Sequence, residues 1–196
     1  MSVKYGVFIG RLQPVHNAHL ALISKALEEN DKVLIVLGSS NKEGTYRNPY
    51  SVEMREQMLR ECFDEEQNEK ITIATLPDWS TEDDEKEVKT WGRYFYYNVV
   101  SRIGQKRFSL YYSDELSILD SWFDNTEVKQ YITYRHFDRD EVFDGLSATK
   151  IRQALLRNDK DYVKKYCPVS VMDRFVGLAS LYEDAVNCPV DDFSME

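Results

Sequence analysis

The sequence predicts an α/β fold, a doubly wound parallel sheet in a single domain closed by C-terminal helices. Three observations carry this. Apolar stretches of strand length alternate with stretches of helical periodicity along most of the chain. The run Val33-Leu34-Ile35-Val36-Leu37 is apolar at every position, as a parallel strand covered on both faces must be. Beyond Ser147 only helical patterns remain.

Residues 4–9 (KYGVFI) form the first strand, followed by the turn-rich GRLQP. Asn17 to Glu29 places Ala18, Leu20, Leu22, Ile23, Ala26 and Leu27 at helical spacing, and Asn30-Asp31 ends it. The second strand, Val33 to Leu37, runs into the loop Gly38-Ser39-Ser40-Asn41, and the chain stays irregular to Asn48-Pro49. Ser51 caps a helix from Glu53 to Cys62. Ile71 to Ala74 is the third strand, closed by Pro77-Asp78. The acidic stretch Ser80 to Glu87 leads into a helix, Val88 to Ile103, with Trp91, Phe95, Val99 and Ile103 on one stripe. Phe108 to Tyr112 is the fourth strand, Leu116 to Phe123 a short helix, and Val128 to Thr133 the fifth strand. Ser147 starts a helix through Leu156, and Asn158-Asp159 begins another. Pro168 opens a last helix, Val169 to Ala185. The domain is expected to span residues 1–186, with an acidic, frayed tail at 187–196. Right-handed crossovers between such strands put helices on both faces. The ligand then belongs at the carboxyl ends of the strands, beside a topological switch point, as in Rossmann-like sheets.

A chain of 196 residues suits one domain. It should bury roughly 70% of its unfolded surface. With 25 Lys+Arg against 34 Asp+Glu, the net charge of −9 argues against a nucleic-acid groove. It leaves room for a nucleotide pocket, which needs only a few local cations. Cys62, Cys167 and Cys188 are odd in number and lack a CxxC pair. That suggests free thiols, a reducing compartment and no protein-held metal. Arg11 ends the N-terminal apolar run, and no stretch nears the ~20 apolar residues of a membrane span. A cytoplasmic protein without nucleic-acid or membrane partners is expected. The acidic runs Glu82 to Glu87 and Asp138 to Asp144 read as solvated faces. The aromatic run Tyr94-Phe95-Tyr96-Tyr97 must turn some rings outward on a helix, which suggests a subunit contact and a homo-oligomer, or else local packing.

Two segments carry chemistry. Gly10-Arg11-Leu12-Gln13-Pro14-Val15-His16-Asn17-Ala18-His19 joins the first strand to the first helix. Gly10 permits a tight turn, and His16 and His19, three apart, share one face. A helix N-terminus supplies unpaired N–H groups and a positive dipole end, so two imidazoles and a guanidinium there suit phosphate. In Leu146-Ser147-Ala148-Thr149-Lys150-Ile151-Arg152, Ser147 or Thr149 can cap a helix, and Arg152 lies one turn in as a bidentate cation.

GRLQPVHNAH resembles the G-R-x-Q-P-x-H-x-G-H signature of the HxGH nucleotidyltransferase superfamily, and LSATKIR resembles its I-S-S-T-x-x-R signature. Between them, Gly38-Ser39-Ser40, Tyr46-Arg47-Asn48-Pro49-Tyr50-Ser51 and Glu53 resemble the middle pattern of archaeal-type nicotinamide-nucleotide (NMN) adenylyltransferases. That pattern also occurs in the front half of bifunctional NMN adenylyltransferase/Nudix proteins. Ala18 stands where the family has Gly, Leu12 replaces an aromatic or Met, and Ser113 to Ser117 departs from the family's loop. With no Nudix motif in the sequence, the resemblance implies transferase activity alone.

The resemblance implies ATP and NMN as substrates, NAD and pyrophosphate as products, and Mg²⁺ held mainly by the ATP phosphates. It assigns Gly10, Arg11, His16, His19, Ser147, Thr149 and Arg152 to ATP, with His19 facing charge that develops on the α-phosphoryl group. Arg11, His16, His19, Arg47 and Arg152 form the catalytic set. Arg47, Ser39, Asp78 and Trp91 are assigned to NMN, with Trp91 stacking on the nicotinamide ring. By residue type alone, Trp91 also reads as core, Asp78 as a turn residue and Arg47 as a surface cation. Alternatives are AMP transfer to nicotinate mononucleotide, FMN or phosphopantetheine, or a sensor that binds ATP or NAD without turnover.

Overall fold

Strand β2 (Lys32–Leu37) sends Val33, Ile35 and Leu37 into one core and Leu34 and Val36 into another, which is why every position after Lys32 is apolar. The computed structural model describes residues 3–78, 85–113, 116–137 and 143–187. The other strands are β1 (Tyr5–Gly10), β3 (Ile71–Thr75), β4 (Phe108–Tyr112) and β5 (Ile132–His136). All five are parallel, in the order β3-β2-β1-β4-β5. Val7 of β1 stands between Leu34 and Leu110, and Gly10 pairs with Leu37, so the tips of β1 and β2 end level.

One sheet face is covered by α1 (Asn17–Glu29), α2 (Val52–Arg60), α6 (Ala148–Leu156), α7 (Lys160–Tyr166), α8 (Val169–Met172) and α9 (Phe175–Asn187). The other is covered by α4 (Glu85–Ile103) and α5 (Leu116–Phe123). Helices α4 and α5 meet closely at Gly92, where a Cβ would stand 2.1 Å from the Trp122 carbonyl oxygen. Among the described residues no helix is long and apolar enough to cross a membrane.

The structure corrects three details. The fifth strand is Ile132–His136, not Val128 to Thr133. Residues Lys129–Tyr131 form a 3-10 turn, and beyond the buried Ile132 this edge strand is half-exposed or exposed, leaving no apolar run to mark it. The sequence pattern missed α3 (Glu65–Lys70), which buries no side chain; a reciprocal Asp64/Gln67 capping box marks its start. The last helix is two, α8 and α9. Arg174 fixes the corner, donating to the Ser170 carbonyl at 2.8 Å and gripping Glu61 at 2.7 and 2.8 Å. As expected of a helix, the aromatic run turns one ring outward: Tyr97 is 55% exposed, while Phe95 and Tyr96 are buried. The tail beyond Asn187 with Cys188, Asp114 and Glu115, and most of the acidic stretches 80–87 and 138–144 lie outside the described residues.

Candidate active site

The chain leaves β1 for β2 and β3, then crosses back to β4 and β5, so the sheet's switch point lies between β1 and β4. A cavity of about 570 Å³ opens there. That size and place suit a small-molecule site in an open α/β sheet. The structure brings every site residue expected from the sequence to this one cavity: Gly10, Arg11, His16, His19, Ser39, Arg47, Asp78, Trp91, Ser147, Thr149 and Arg152.

The turn after β1 places the histidines. Gly10 ends the strand, and the left-handed residue is Leu12 at φ 50°, not the glycine. A Cβ at Gly10 would come within 2.9 Å of the tip of the Phe8 ring, which would have to shift. His16 is the N-cap of α1 and is completely buried. Its ring stacks under that of His19, centroids 3.6 Å apart and planes at 16°. The His16 backbone N–H donates to His19 Nδ1 at 3.3 Å. Nδ1 is therefore an acceptor, and Nε2 is left as the ring's donor.

The opposite wall starts at the tip of β2. Ser39, also left-handed at φ 50°, donates through Oγ to the Asp78 carboxylate at 2.6 Å. Asn41 holds the Asp78 backbone in both directions at 2.9 Å, and Lys42 lies 3.8 Å from the same carboxylate. Arg47 sits on an exposed turn closed by mutual backbone bonds between Thr45 and Asn48. Trp91 is both wall and core: it lines the cavity, stacks on Phe95 at 5.8 Å and meets Trp122 at 4.5 Å.

Buried polar groups tie these segments together. The Gln13 side chain bonds the Tyr50 backbone twice, donating to the carbonyl at 3.0 Å and accepting from the N–H at 2.9 Å. Arg152 donates to the Gln13 carbonyl at 2.8 Å and to Thr149 Oγ1 at 3.2 Å. Ser147, not Thr149, caps α6, accepting from the Lys150 N–H. Tyr182 of α9 lies 5.3 Å from the Arg152 guanidinium and 5.7 Å from the Tyr46 ring. Burial, then a hydrogen bond with Tyr46, raises its pKa above the ordinary phenol value. Among the described residues the charged lining is mostly cationic, with Arg11, Lys42, Arg47 and Arg152 beside the carboxylate of Asp78.

The sequence reading did not single out Gln13, Lys42, Arg55, Trp122 or Tyr182. Gln13 lay within a recognised segment and could have been found there. Trp122 could have been suspected from its ring type, but only the close approach at Gly92 brings it to Trp91.

A five-stranded parallel sheet of this order, with its cavity at the switch point, defines a Rossmann-like α/β protein. The chain belongs to the cytidylyltransferase-like family, whose model matches residues 7–154. A nicotinamide-nucleotide adenylyltransferase of Thermococcus onnurineus is 38% identical over 85 residues, covering 40% of this chain and 46% of that protein. A nicotinamide/nicotinic acid mononucleotide adenylyltransferase of Acinetobacter baylyi is 40% identical over 74 residues, covering 38% of this chain and 39% of that protein. The chain thus spans less than half the length of these relatives. Among solved structures, a bifunctional NMN adenylyltransferase/ADP ribose pyrophosphatase from Francisella tularensis, complexed with AMP and a Mn ion, superposes with a TM-score of 0.65 at 23% identity, covering 95% of this chain and 52% of that one. A NadR protein in complex with NR gives 0.59 at 22% identity, covering 80% and 43%. These likenesses establish the fold.

Proposed function

We propose that the chain transfers AMP from ATP to nicotinamide mononucleotide, forming NAD and releasing pyrophosphate. The observation that carries this is the convergence of the stacked His16–His19 pair at the start of α1 with Arg11, Arg47 and Arg152 around one cavity. The names of the Thermococcus and Acinetobacter relatives support the acceptor.

The NMN phosphate oxygen forms a bond to the ATP α-phosphorus as the bond to the bridging oxygen breaks in line, and pyrophosphate leaves with that electron pair. The nucleophile is already an anion, so positioning and charge stabilisation carry the reaction. His19 Nε2–H donates to the α-phosphoryl oxygens, and His16 supports its ring from beneath. Arg152 and Thr149 hold the β,γ end, with Ser147 and Gly10 beside the ATP. Arg11 and Arg47 bridge the reacting phosphates. Trp91 offers its indole to the pyridinium ring, while Ser39 and Asp78 meet the amide end. Among the described residues no group of three or more His, Cys, Asp or Glu side chains could hold a metal ion. Mg²⁺ held mainly by the ATP phosphates would neutralise charge there, beside Arg11, Arg47 and Arg152. Free Cys62 and Cys167 suit a reducing cytoplasm.

The test is pyrophosphate release from purified protein with Mg²⁺ and ATP, offered NMN, nicotinate mononucleotide, FMN or phosphopantetheine in turn. Release with NMN, together with NAD identified by mass, supports the reading. ATP binding without release from any acceptor favours a sensor instead.

A further inference from the structure

We infer that Arg55 is a positioning residue: its guanidinium clamps the carbonyls of Arg11 and Gly38 and so holds the two left-handed turns at the cavity. Nη1 donates to both carbonyls at 2.9 Å, and Nε donates to the Ser51 carbonyl at 3.2 Å, anchoring the clamp to the start of α2. The residue directly after each clamped carbonyl is left-handed: Leu12 and Ser39, both at φ 50°. Neither is a glycine, and a leucine there is a steric outlier that its surroundings must impose. The tips of β1 and β2 therefore carry the same unfavourable turn, and one side chain grips both. Arg11 and Ser39, which line the cavity, belong to these turns.

Stability alone does not explain this residue. Arg55 is fully buried, and among the described residues no carboxylate lies within ion-pair distance and Nη2 has no hydrogen-bond partner. Burial lowers its pKa to about 10, so it still carries its charge at neutral pH. Apolar packing of the same volume often serves stability as well as a buried ion does. What such packing lacks is a rigid guanidinium whose Nη1 donates to two carbonyls while Nε donates to a third. Lysine's single flexible ammonium cannot hold all three. Arg55 is outside the cavity lining, so it acts through the turns and not on the substrate.

The consequence for turnover rests on the proposed AMP transfer; the consequence for the turns does not. The experiment is amide hydrogen exchange on the full chain and its Arg55→Lys and Arg55→Met variants, without ligand. Segments 9–13 and 37–41 are expected to exchange about tenfold faster in both variants, with β5 protected as in the parent. At a temperature where circular dichroism matches the parent, kcat for NAD formation is expected to fall about 10²-fold. Parent-like exchange at both turns overturns the inference. So does an equal rise everywhere including β5, or parent-like kcat in folded Arg55→Lys. If Arg55→Met does not fold, Arg55→Lys decides; if Arg55→Lys, which keeps charge and bulk, also fails to fold, the role is structural and the inference falls. A parent that forms no NAD sinks the proposed function, and the exchange data still judge Arg55.

Discussion

Tyr182 tests whether the C-terminal helix serves the site or only covers the core. Its ring is buried, 5.3 Å from the Arg152 guanidinium, and it links that cation to Tyr46, the neighbour of Arg47. A desolvated cation–π contact contributes about 2 kcal/mol. At 1.4 kcal/mol per tenfold, Tyr182→Leu should raise KM for ATP about 10- to 30-fold. Tyr182→Phe keeps the ring but loses the hydroxyl that meets Arg152 and Tyr46, and its KM should fall between those of the parent and Tyr182→Leu. The leucine variant also loses packing, about 1–3 kcal/mol, which lowers Tm by about 2–12 °C in a chain of this size. Kinetics are therefore measured well below both melting points, with circular dichroism confirming the fold. A double-mutant cycle with Arg152→Met, which removes the cation, isolates the mechanism, because coupled residues do not add. If Tyr182 works through Arg152, Tyr182→Leu should cost little more once Arg152 is gone. Fully additive losses, or a folded Tyr182→Leu enzyme with the parent's KM, would refute the reasoning.

His19→Ala should lower turnover about 10²–10³-fold while weakening ATP binding much less, measured by steady-state rates beside calorimetry; a variant with most of its turnover removes the imidazole from the mechanism. Gly92→Ala must push α4 from α5, because the new Cβ meets backbone of Trp122 at 2.1 Å; a loss of about 3 kcal/mol is expected in urea denaturation, with an altered near-ultraviolet spectrum from the displaced Trp91–Trp122 pair. Alkali should destabilise the fold. Burial pushes Cys167, Tyr111 and Tyr134 up to about 12 from ordinary values of 9.0 and 10.0, so between those limits the native state binds more protons than the unfolded chain. The stability these groups contribute is complete below about pH 9 and declines toward pH 12; a urea midpoint equal at pH 8 and pH 10.5 would contradict this.

What the sequence made legible is what neighbouring residues decide together. The apolar run of β2 demanded cover on both faces, and both faces are covered. His16 and His19 are three apart, and the helix start turns that spacing into a stacked pair. The Ser51 and Ser147 caps are local chemistry and sit where their patterns put them. Arg55 carries no such local mark. Its partners are the carbonyls of Arg11 and Gly38, 44 and 17 residues away, and any residue type can supply a carbonyl. Tyr182 reads as one more apolar position at helical spacing until the fold lays it against Arg152. The edge strand β5 was misplaced for a related reason: with only Ile132 buried, its sequence holds no period to read.

The two ends of the cavity rest on different kinds of support. On the face covered by α1, α2 and α6, three buried polar side chains, Gln13, Arg55 and Arg152, each bond a backbone carbonyl of another loop. Such bonds fix main-chain positions at the turns that line the cavity. On the face covered by α4 and α5, Trp91, Phe95, Trp122 and Phe123 hold one another by ring contacts. Ring packing fixes a flat apolar surface and not a hydrogen-bond direction. Directional charge and a flat apolar surface thus come from opposite sides of one sheet. They meet where β1 and β4 part, because only at that switch point can loops from both faces reach a common ligand.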